Sequence, residues 1–303
     1  MHDFVEWLNE SICSDADGMA EVGWRRYGEM VGQSLKRHYQ QEREDRDGLR
    51  LSELGKPAVV QALKRLGYRE PPPKGSLLFI FHLGDVFEHF AGEMMRVYGY
   101  EILADQMEED KTLVEFEGVK GHFDYLVREP KTGRRLLVEV KTMSGAYAQR
   151  FRLRPDDERG YVTQLACYHH ALSHDVDGAW WLCLDKSNWR AFCVEGFDGL
   201  FEGALYRARE VISRMNHISS EEDVLRYFQA PPPMPEVYAR RQTGRYMLPP
   251  SMRYSPFAEA FYELNPGVNG YGKERLYVDG MKDAKAMQQA LRVLVDEGRV
   301  LHV

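Results

Sequence analysis

The stretch that decides the fold is residues 121–141, GHFDYLVREPKTGRRLLVEVK. It predicts two short strands joined by a turn at residues 130–133, because Pro and Gly favour tight turns. Side chains alternate between the two faces of a strand, so Glu139 and Lys141 lie on one face of the second strand. Folding the hairpin brings Asp124 of the first strand beside Glu139. The sequence therefore predicts two carboxylates and an ammonium group at one end of a β-hairpin.

These residue types suit a divalent cation. Mg²⁺ takes oxygen ligands, usually one or two carboxylates together with waters and substrate phosphate. Such a cation lowers the pKa of a water and stabilises charge on phosphoryl oxygens, while a lysine orients the water. The carbonyl of Val140, between Glu139 and Lys141, is a further candidate ligand. A Glu-x-Lys pair is also common on solvated hairpins, so the hairpin alone leaves a surface ion pair open.

Two flanking segments add residues of a related kind. Upstream, Gly84 precedes Glu88 by four residues in a segment with apolar residues at helical spacing, namely Val86, Phe90, Met94 and Val97. Downstream, Gln164 and Tyr168 lie one turn apart on the same face of a predicted helix. The alternative for this last pair is a buried hydrogen bond that ties the helix to the sheet.

In this order the motifs resemble those of the PD-(D/E)XK nuclease superfamily, specifically its RecB-like branch with the lambda-type phage exonucleases. The branch has Gly-x-x-x-(His/Glu), Asp, Glu-x-Lys and Gln-x-x-x-Tyr, to which this chain is similar at Gly84…Glu88, Asp124, Glu139-Val140-Lys141 and Gln164…Tyr168. The resemblance covers about residues 80–195. His122 and Phe123 stand where the superfamily has its proline. Glu88 in place of the usual histidine resembles the phage exonucleases, and His89 and His82 are the alternatives at that position.

The resemblance implies an α/β fold with a restriction-endonuclease-like core, which is a central mixed β-sheet flanked by helices. A helical N-terminal region is expected at residues 1–75, the nuclease core at 76–215, and a small C-terminal extension at 216–303, after a proline-rich connector. Within the core the pattern predicts helices at 84–98 and 161–173 and strands at 100–105, 113–117, 121–127, 135–142, 179–184 and 190–194. A helix at 282–296 and a strand at 300–303 are predicted in the extension.

The resemblance also assigns roles. Asp124, Glu139 and the Val140 carbonyl are expected to hold Mg²⁺, with Mn²⁺ able to substitute, and Glu88 to complete the site or hold a second ion. Lys141 is expected to orient the attacking water. Gln164 and Tyr168 are then expected to support the metal ligands or the DNA backbone.

The implied function is hydrolysis of DNA phosphodiester bonds by an exonuclease that resects ends and leaves a strand for a single-strand annealing protein. Phage-type recombination or repair in the cytoplasm of a bacterium or an infected host is the implied setting. Two alternatives are a DNA-binding scaffold of the same fold that does not cut, and a structure-specific endonuclease. Polarity, strand preference and oligomeric state stay open.

Three arginines are the predicted phosphate contacts. Arg150, Arg152 and Arg154 alternate with other residues across residues 149–155, and an extended strand would place all three guanidinium groups on one side. Guanidinium groups bind phosphate through paired hydrogen bonds. The alternative is a solvated, charged surface.

Composition narrows the class of protein. The chain has 303 residues, a net charge of -7 and a pI of about 5.9, so a DNA substrate needs a local basic channel instead of a global positive field. The four cysteines have no C-x-x-C spacing, which predicts reduced thiols and no iron-sulfur cluster. No long apolar run or signal peptide is present, so we expect no membrane association.

Overall fold

The computed structural model describes residues 1–11, 21–40, 49–68, 75–106, 108–227, 234–238, 241–247, 271–272 and 275–276. The helix and strand predicted within residues 282–303 lie outside these residues, as does most of the proline-rich connector. The chain divides into two compact units, Met1–Glu53 with Pro72–Arg209 and Leu54–Pro71 with Glu210–Val303. The domain boundaries given above stay a prediction.

Seven of the strands in the described residues belong to the first unit: β1 (Glu101–Asp105), β2 (Leu113–Phe116), β3 (Val119–His122), β4 (Tyr125–Arg128), β5 (Arg135–Met143), β6 (Gly178–Asp185) and β7 (Arg190–Glu195). Five of them form one sheet in the order β1-β4-β5-β6-β7. Strands β5 and β6 are parallel, and the other neighbours are antiparallel. Strands β2 and β3 form a separate two-stranded ribbon. The central sheet is therefore mixed, as predicted.

The helices are α1 (His2–Ser11), α2 (Glu21–Gln40), α3 (Ala58–Arg65), α4 (Gly75–Tyr98), α5 (Glu109–Thr112), α6 (Gly145–Leu153), α7 (Tyr161–Ala171), α8 (Asp198–Met215) and α9 (Glu221–Tyr227). Helices α3 and α9 lie in the second unit, as do two short strand pairs, β8 (Met234–Tyr238) with β9 (Arg241–Met247) and β10 (Tyr271–Gly272) with β11 (Arg275–Leu276). No helix in the described part of the chain combines the length and apolarity needed to cross a membrane.

The sheet of the first unit is buried on both faces. On one face Val138 and Val140 belong to an apolar cluster with residues of α1 and α4, including Phe4 and Met95. On the other face α6 packs on β6, where the rings of Phe151 and Trp181 lie 5.4 Å apart. This α/β arrangement of a mixed sheet flanked by helices confirms the predicted fold class.

The predicted hairpin is present as β4 and β5. Its turn closes with a hydrogen bond from the Gly133 amide to the Glu129 carbonyl, 2.9 Å, and Gly133 adopts a φ of 71°, which glycine tolerates best. The predicted single strand at 121–127 is wrong, because β3 ends at His122 and β4 begins at Tyr125. Between them Phe123 is buried, and its amide donates to the Thr112 carbonyl at 3.3 Å, which draws the main chain away from a continuous strand.

A close contact fixes α4 above the hairpin. The Tyr125 hydroxyl donates to the main-chain carbonyl of Glu88 at 3.0 Å. It reaches that carbonyl because Gly92, one turn further along α4, has no side chain: a Cβ there would lie 2.7 Å from Tyr125 Cζ. The distance of Glu88 from the sheet therefore depends on Gly92 and on the buried Tyr125.

Substituting two glycines of α4 tests this contact. Gly92→Ala should lower the free energy of unfolding by about 1–3 kcal/mol, because the buried Tyr125 ring must shift. Gly84→Ala is the matched control, since a Cβ at Gly84 meets no atom within 4 Å. It should be neutral or stabilise the helix by about 0.5–1 kcal/mol. Equal changes for both variants in urea denaturation would contradict the packing.

Candidate active site

Asp124 lies in the break before β4 and is buried. One carboxylate oxygen accepts a hydrogen bond from Gln106 Nε2 at 2.8 Å, and the other accepts from the Val140 amide at 2.7 Å. That amide is available because β4 begins at Tyr125, which pairs with Val138, so the β4 ladder stops before Val140. The N–H and C=O of a residue in a strand point to the same side, so the Val140 carbonyl also faces the side of Asp124. The structure thus joins the two hairpin strands through this carboxylate.

Glu139 and Lys141 are neighbours on β5. Glu139 is fully buried, and its Oε1 accepts from Lys141 Nζ at 2.6 Å. Its other carboxylate oxygen is buried and has no hydrogen-bond partner among the described residues. Burial, together with the charge of Asp124, raises the pKa of Glu139 to about 8. Burial alone would lower the pKa of Lys141, but the charges of Glu139 and Asp124 outweigh it and hold that pKa above its usual value, so the ammonium group stays protonated.

Glu88 belongs to α4, and the charges of Asp124, Glu139 and Lys141 act on its carboxyl group. Burial first, and then the charge of Asp124, raise the pKa of Glu88 well above its usual value, and Glu139 adds to the effect. One buried oxygen of Glu88 lacks a hydrogen bond within the described chain. His89 and His82 are buried, whereas Glu88 is half-buried, and the charge of His89 lowers the pKa of Asp124. The structure therefore brings both Glu88 and His89 to the carboxylates.

Helix α7 closes the site from the other side. Gln164 Nε2 donates to the Tyr168 hydroxyl at 3.2 Å, and both side chains are buried. Burial raises the pKa of Tyr168, and the charge of Glu139 raises it further, which places this hydroxyl near the carboxylates. At the start of the same helix, Lys141 Nζ lies 5.4 Å from the ring centroid of Tyr161. The sequence analysis missed Tyr161, although it lies one turn before Gln164.

The residues present fit a hard divalent cation. Burial raises the pKa of three carboxyl groups, those of Glu88, Asp124 and Glu139, and the charge of Asp124 raises the pKa of Glu88 and of Glu139 further. One buried oxygen of Glu88 and one of Glu139 have no partner in the described chain. Within the described ranges, no three side chains of His, Cys, Asp or Glu form a group placed to hold a metal. The predicted set includes three carboxylates, those of Glu88, Asp124 and Glu139, and they do not form such a group. Asp124, Glu139 and the Val140 carbonyl are a smaller candidate set, and Mg²⁺ commonly binds with waters in the remaining positions.

The predicted arrangement of the three arginines is wrong. Residues 145–153 form α6 instead of an extended segment, with Tyr147, Ala148 and Phe151 on its buried face. Helical residues two apart differ by about 200° around the axis, so Arg150 and Arg152 do not share a face.

The three arginines meet different surroundings. Arg150 forms ion pairs with Asp156, at 2.8 Å, and with Glu158. Arg152 lies over the ring of Phe192 at 5.9 Å. Arg154 follows the end of α6 and is exposed. Phosphate binding by these residues stays a prediction, without the common face that suggested it.

No protein-family model matches the sequence, and no curated protein matches it. Among solved structures, the chain is similar to SSO0001, with a TM-score of 0.42 and 13% identity over 78% of this chain and 95% of that chain. It is also similar to an alkaline exonuclease from Laribacter hongkongensis (LHK-Exo), with a TM-score of 0.32 and 13% identity over 55% of this chain and 90% of that chain. Neither likeness is close enough to carry an argument about activity.

The raised pKa of Glu139 predicts how stability depends on pH without metal. Between about pH 4.5 and about pH 8 the folded state keeps a proton on Glu139 that the unfolded state has lost. The folded state then binds more protons, so the free energy of unfolding falls as the pH rises through this window. Urea denaturation at several pH values, with a chelator present, should show this fall. It should be smaller in Glu139→Gln, and equal slopes for the two proteins would refute the assignment.

Proposed function

We propose that this chain is a divalent-metal-dependent DNA nuclease that hydrolyses phosphodiester bonds, with Mg²⁺ as its cofactor and Mn²⁺ as a substitute. One observation carries the proposal. The Asp124 carboxylate accepts from the Val140 amide, which lies between Glu139 and Lys141, so the two buried acids and the half-buried ammonium group belong to one cluster.

Each residue has a defined task in this proposal. A cation held by Asp124, Glu139 and the Val140 carbonyl would neutralise the acids, attract the phosphoryl oxygens and acidify a water. Lys141 stays protonated, so it acts as a hydrogen-bond donor that orients the attacking water and stabilises developing negative charge. The water oxygen attacks phosphorus and releases a proton to solvent, the bond between phosphorus and the leaving ester oxygen breaks, and the leaving oxygen takes a proton from solvent. Glu88 completes the ligand set or holds a second ion.

In this proposal the side chains of helix α7 position the metal ligands and take no part in the reaction. Gln164 and Tyr168 hold each other in place, and Tyr168 lies near the Glu139 carboxylate. Side chains that position metal ligands affect metal affinity and activity without binding the metal themselves. We further propose that the enzyme is an exonuclease that resects DNA ends for a single-strand annealing protein in recombination or repair.

Two substitutions test the hydrolytic mechanism. Asp124→Asn removes a negative charge from the ligand set, and Lys141→Ala removes the donor that orients water, so each should lower the rate of Mg²⁺-dependent DNA cleavage about 100-fold or more. Arg128→Gln is the control, because Arg128 is exposed and pairs with Glu101 at the other end of β4. It should cleave at the wild-type rate. Full activity in both Asp124→Asn and Lys141→Ala would overturn the mechanism.

A comparison of two DNA substrates tests the exonuclease assignment. End-labelled linear duplex and covalently closed circular duplex are incubated with Mg²⁺, Mn²⁺ or a chelator. An exonuclease needs a free end, so linear DNA should be degraded with either metal, while the circle stays intact. Cleavage of the circle would indicate an endonuclease, and DNA binding without cleavage in either metal would indicate a scaffold protein.

A further inference from the structure

Beyond the metal site, we infer a phosphate-binding subsite formed by Arg159 and Lys186, with the ring of Tyr147 holding the arginine. It would bind a backbone phosphate of the DNA strand that enters the candidate active site. The inference rests on the proposed function for the identity of its ligand. Neither cation belongs to the arginine set that the sequence analysis selected.

Arg159 is a cation without a carboxylate partner in the described chain, although it follows three acidic residues directly. Those acids are already engaged: Arg150 pairs with Asp156 and Glu158, and Asp157 accepts hydrogen bonds from the amide of Thr163, at 3.0 Å, and from its hydroxyl. The guanidinium of Arg159 lies instead over the ring of Tyr147, with 4.2 Å from Cζ to the centroid. Its hydrogen-bond donors are therefore available to a ligand.

Lys186 places a second cation nearby. It directly follows β6, and its amide donates to the Met143 carbonyl at 2.8 Å. Met143 lies two residues after Lys141 on β5, so Lys186 lies at the carboxyl ends of the two parallel strands. The side chain is half-buried and forms no ion pair within the described residues. Burial, and then the charge of Arg159, lower the pKa of Lys186.

Aromatic rings connect this pair to the catalytic residues. The rings of Tyr147 and Tyr161 are 6.4 Å apart, and Tyr161 in turn lies under the ammonium group of Lys141. A phosphate between Arg159 and Lys186 would therefore be near the phosphate undergoing hydrolysis. The two sites would then bind two phosphates of the same strand.

The subsite is held in place by polar contacts of its own loops. The Asp185 carboxylate accepts from the amide and hydroxyl of Ser187, at 2.9 and 2.6 Å, and from Asn188 at 3.1 Å, which fixes the turn that carries Lys186. Preorganised cations lose little conformational freedom when a phosphate binds. A guanidinium beside an ammonium group also matches the geometry and charge of a phosphodiester better than those of a neutral ligand.

The test measures DNA affinity without turnover. A short, fluorescently labelled DNA duplex is titrated with each protein in chelator at several salt concentrations. Arg159→Gln and Lys186→Gln should each weaken binding about tenfold or more. Each should also reduce the slope of log affinity against log salt, by up to about 0.9, because the two cations share one phosphate contact. Arg159→Lys should recover part of the affinity, and the exposed control Arg128→Gln should keep the wild-type slope.

Kinetics separate this subsite from the catalytic centre. With Mg²⁺ present, the two glutamine variants should raise KM while kcat stays near the wild-type value, because neither residue contacts the reacting atoms. Lys186→Gln keeps the test valid if loss of Arg159 disturbs the packing of Tyr147. Both glutamine variants binding as tightly as Arg128→Gln, or wild-type protein binding no DNA, would overturn the subsite.

The subsite and the proposed function can fail separately. If wild-type protein cleaves DNA while the glutamine variants match it in affinity and KM, the subsite is wrong and the nuclease proposal stands. If wild-type protein binds DNA through Arg159 and Lys186 but cleaves none with either metal, the subsite stands and the nuclease proposal is wrong.

Discussion

The hydrogen bond from the Val140 amide to the Asp124 carboxylate is the contact on which the candidate site depends. It exists because β4 is short: its pairing with β5 begins at Tyr125, so the next amide of β5 on that side has no strand partner. A buried amide needs an acceptor, and the carboxylate supplies it. One interaction thereby satisfies the backbone and sets the first acid beside the second.

This contact has a cost, because it brings carboxyl groups of like charge together at a site shielded from solvent. Burial raises the pKa of Glu88, Asp124 and Glu139, and the charge of Asp124 raises it further for the two glutamates. The charge of Lys141 opposes this effect at all three groups. Buried carboxylates are costly unless they are paired, protonated or bound to a metal. In the metal-free protein, protonation of Glu139 relieves part of this cost. A divalent cation would relieve it at neutral pH, and this links the stability of the fold to the proposed chemistry.

Local sequence patterns predicted most helices and strands of the core. Features that depend on contacts between distant residues could not be predicted in this way. Alternation in β5 and the i, i+4 spacing in α7 placed Glu139 with Lys141 and Gln164 with Tyr168 on common faces, because those signals depend only on strand and helix geometry. Their selection as site residues came from the family resemblance. The interruption at Phe123 depends on the distant Thr112 carbonyl, so no local pattern reveals it. Likewise, the local pattern of the arginine-rich segment after β5 fits either an extended strand or a helix. The packing of its apolar residues against the sheet decides in favour of a helix. Arg159 became a candidate only when the partners of its acidic neighbours were known.

The most direct measurement is the position of a bound metal. Crystals grown with Mn²⁺ and measured at an X-ray wavelength that gives a manganese anomalous signal locate the ion without reference to activity. We predict a peak within bonding distance of carboxylate oxygens of both Asp124 and Glu139 and of the Val140 carbonyl oxygen. Crystals grown in excess Mn²⁺ that show no peak between these two carboxylates, or manganese only at other positions, would contradict the proposed metal site.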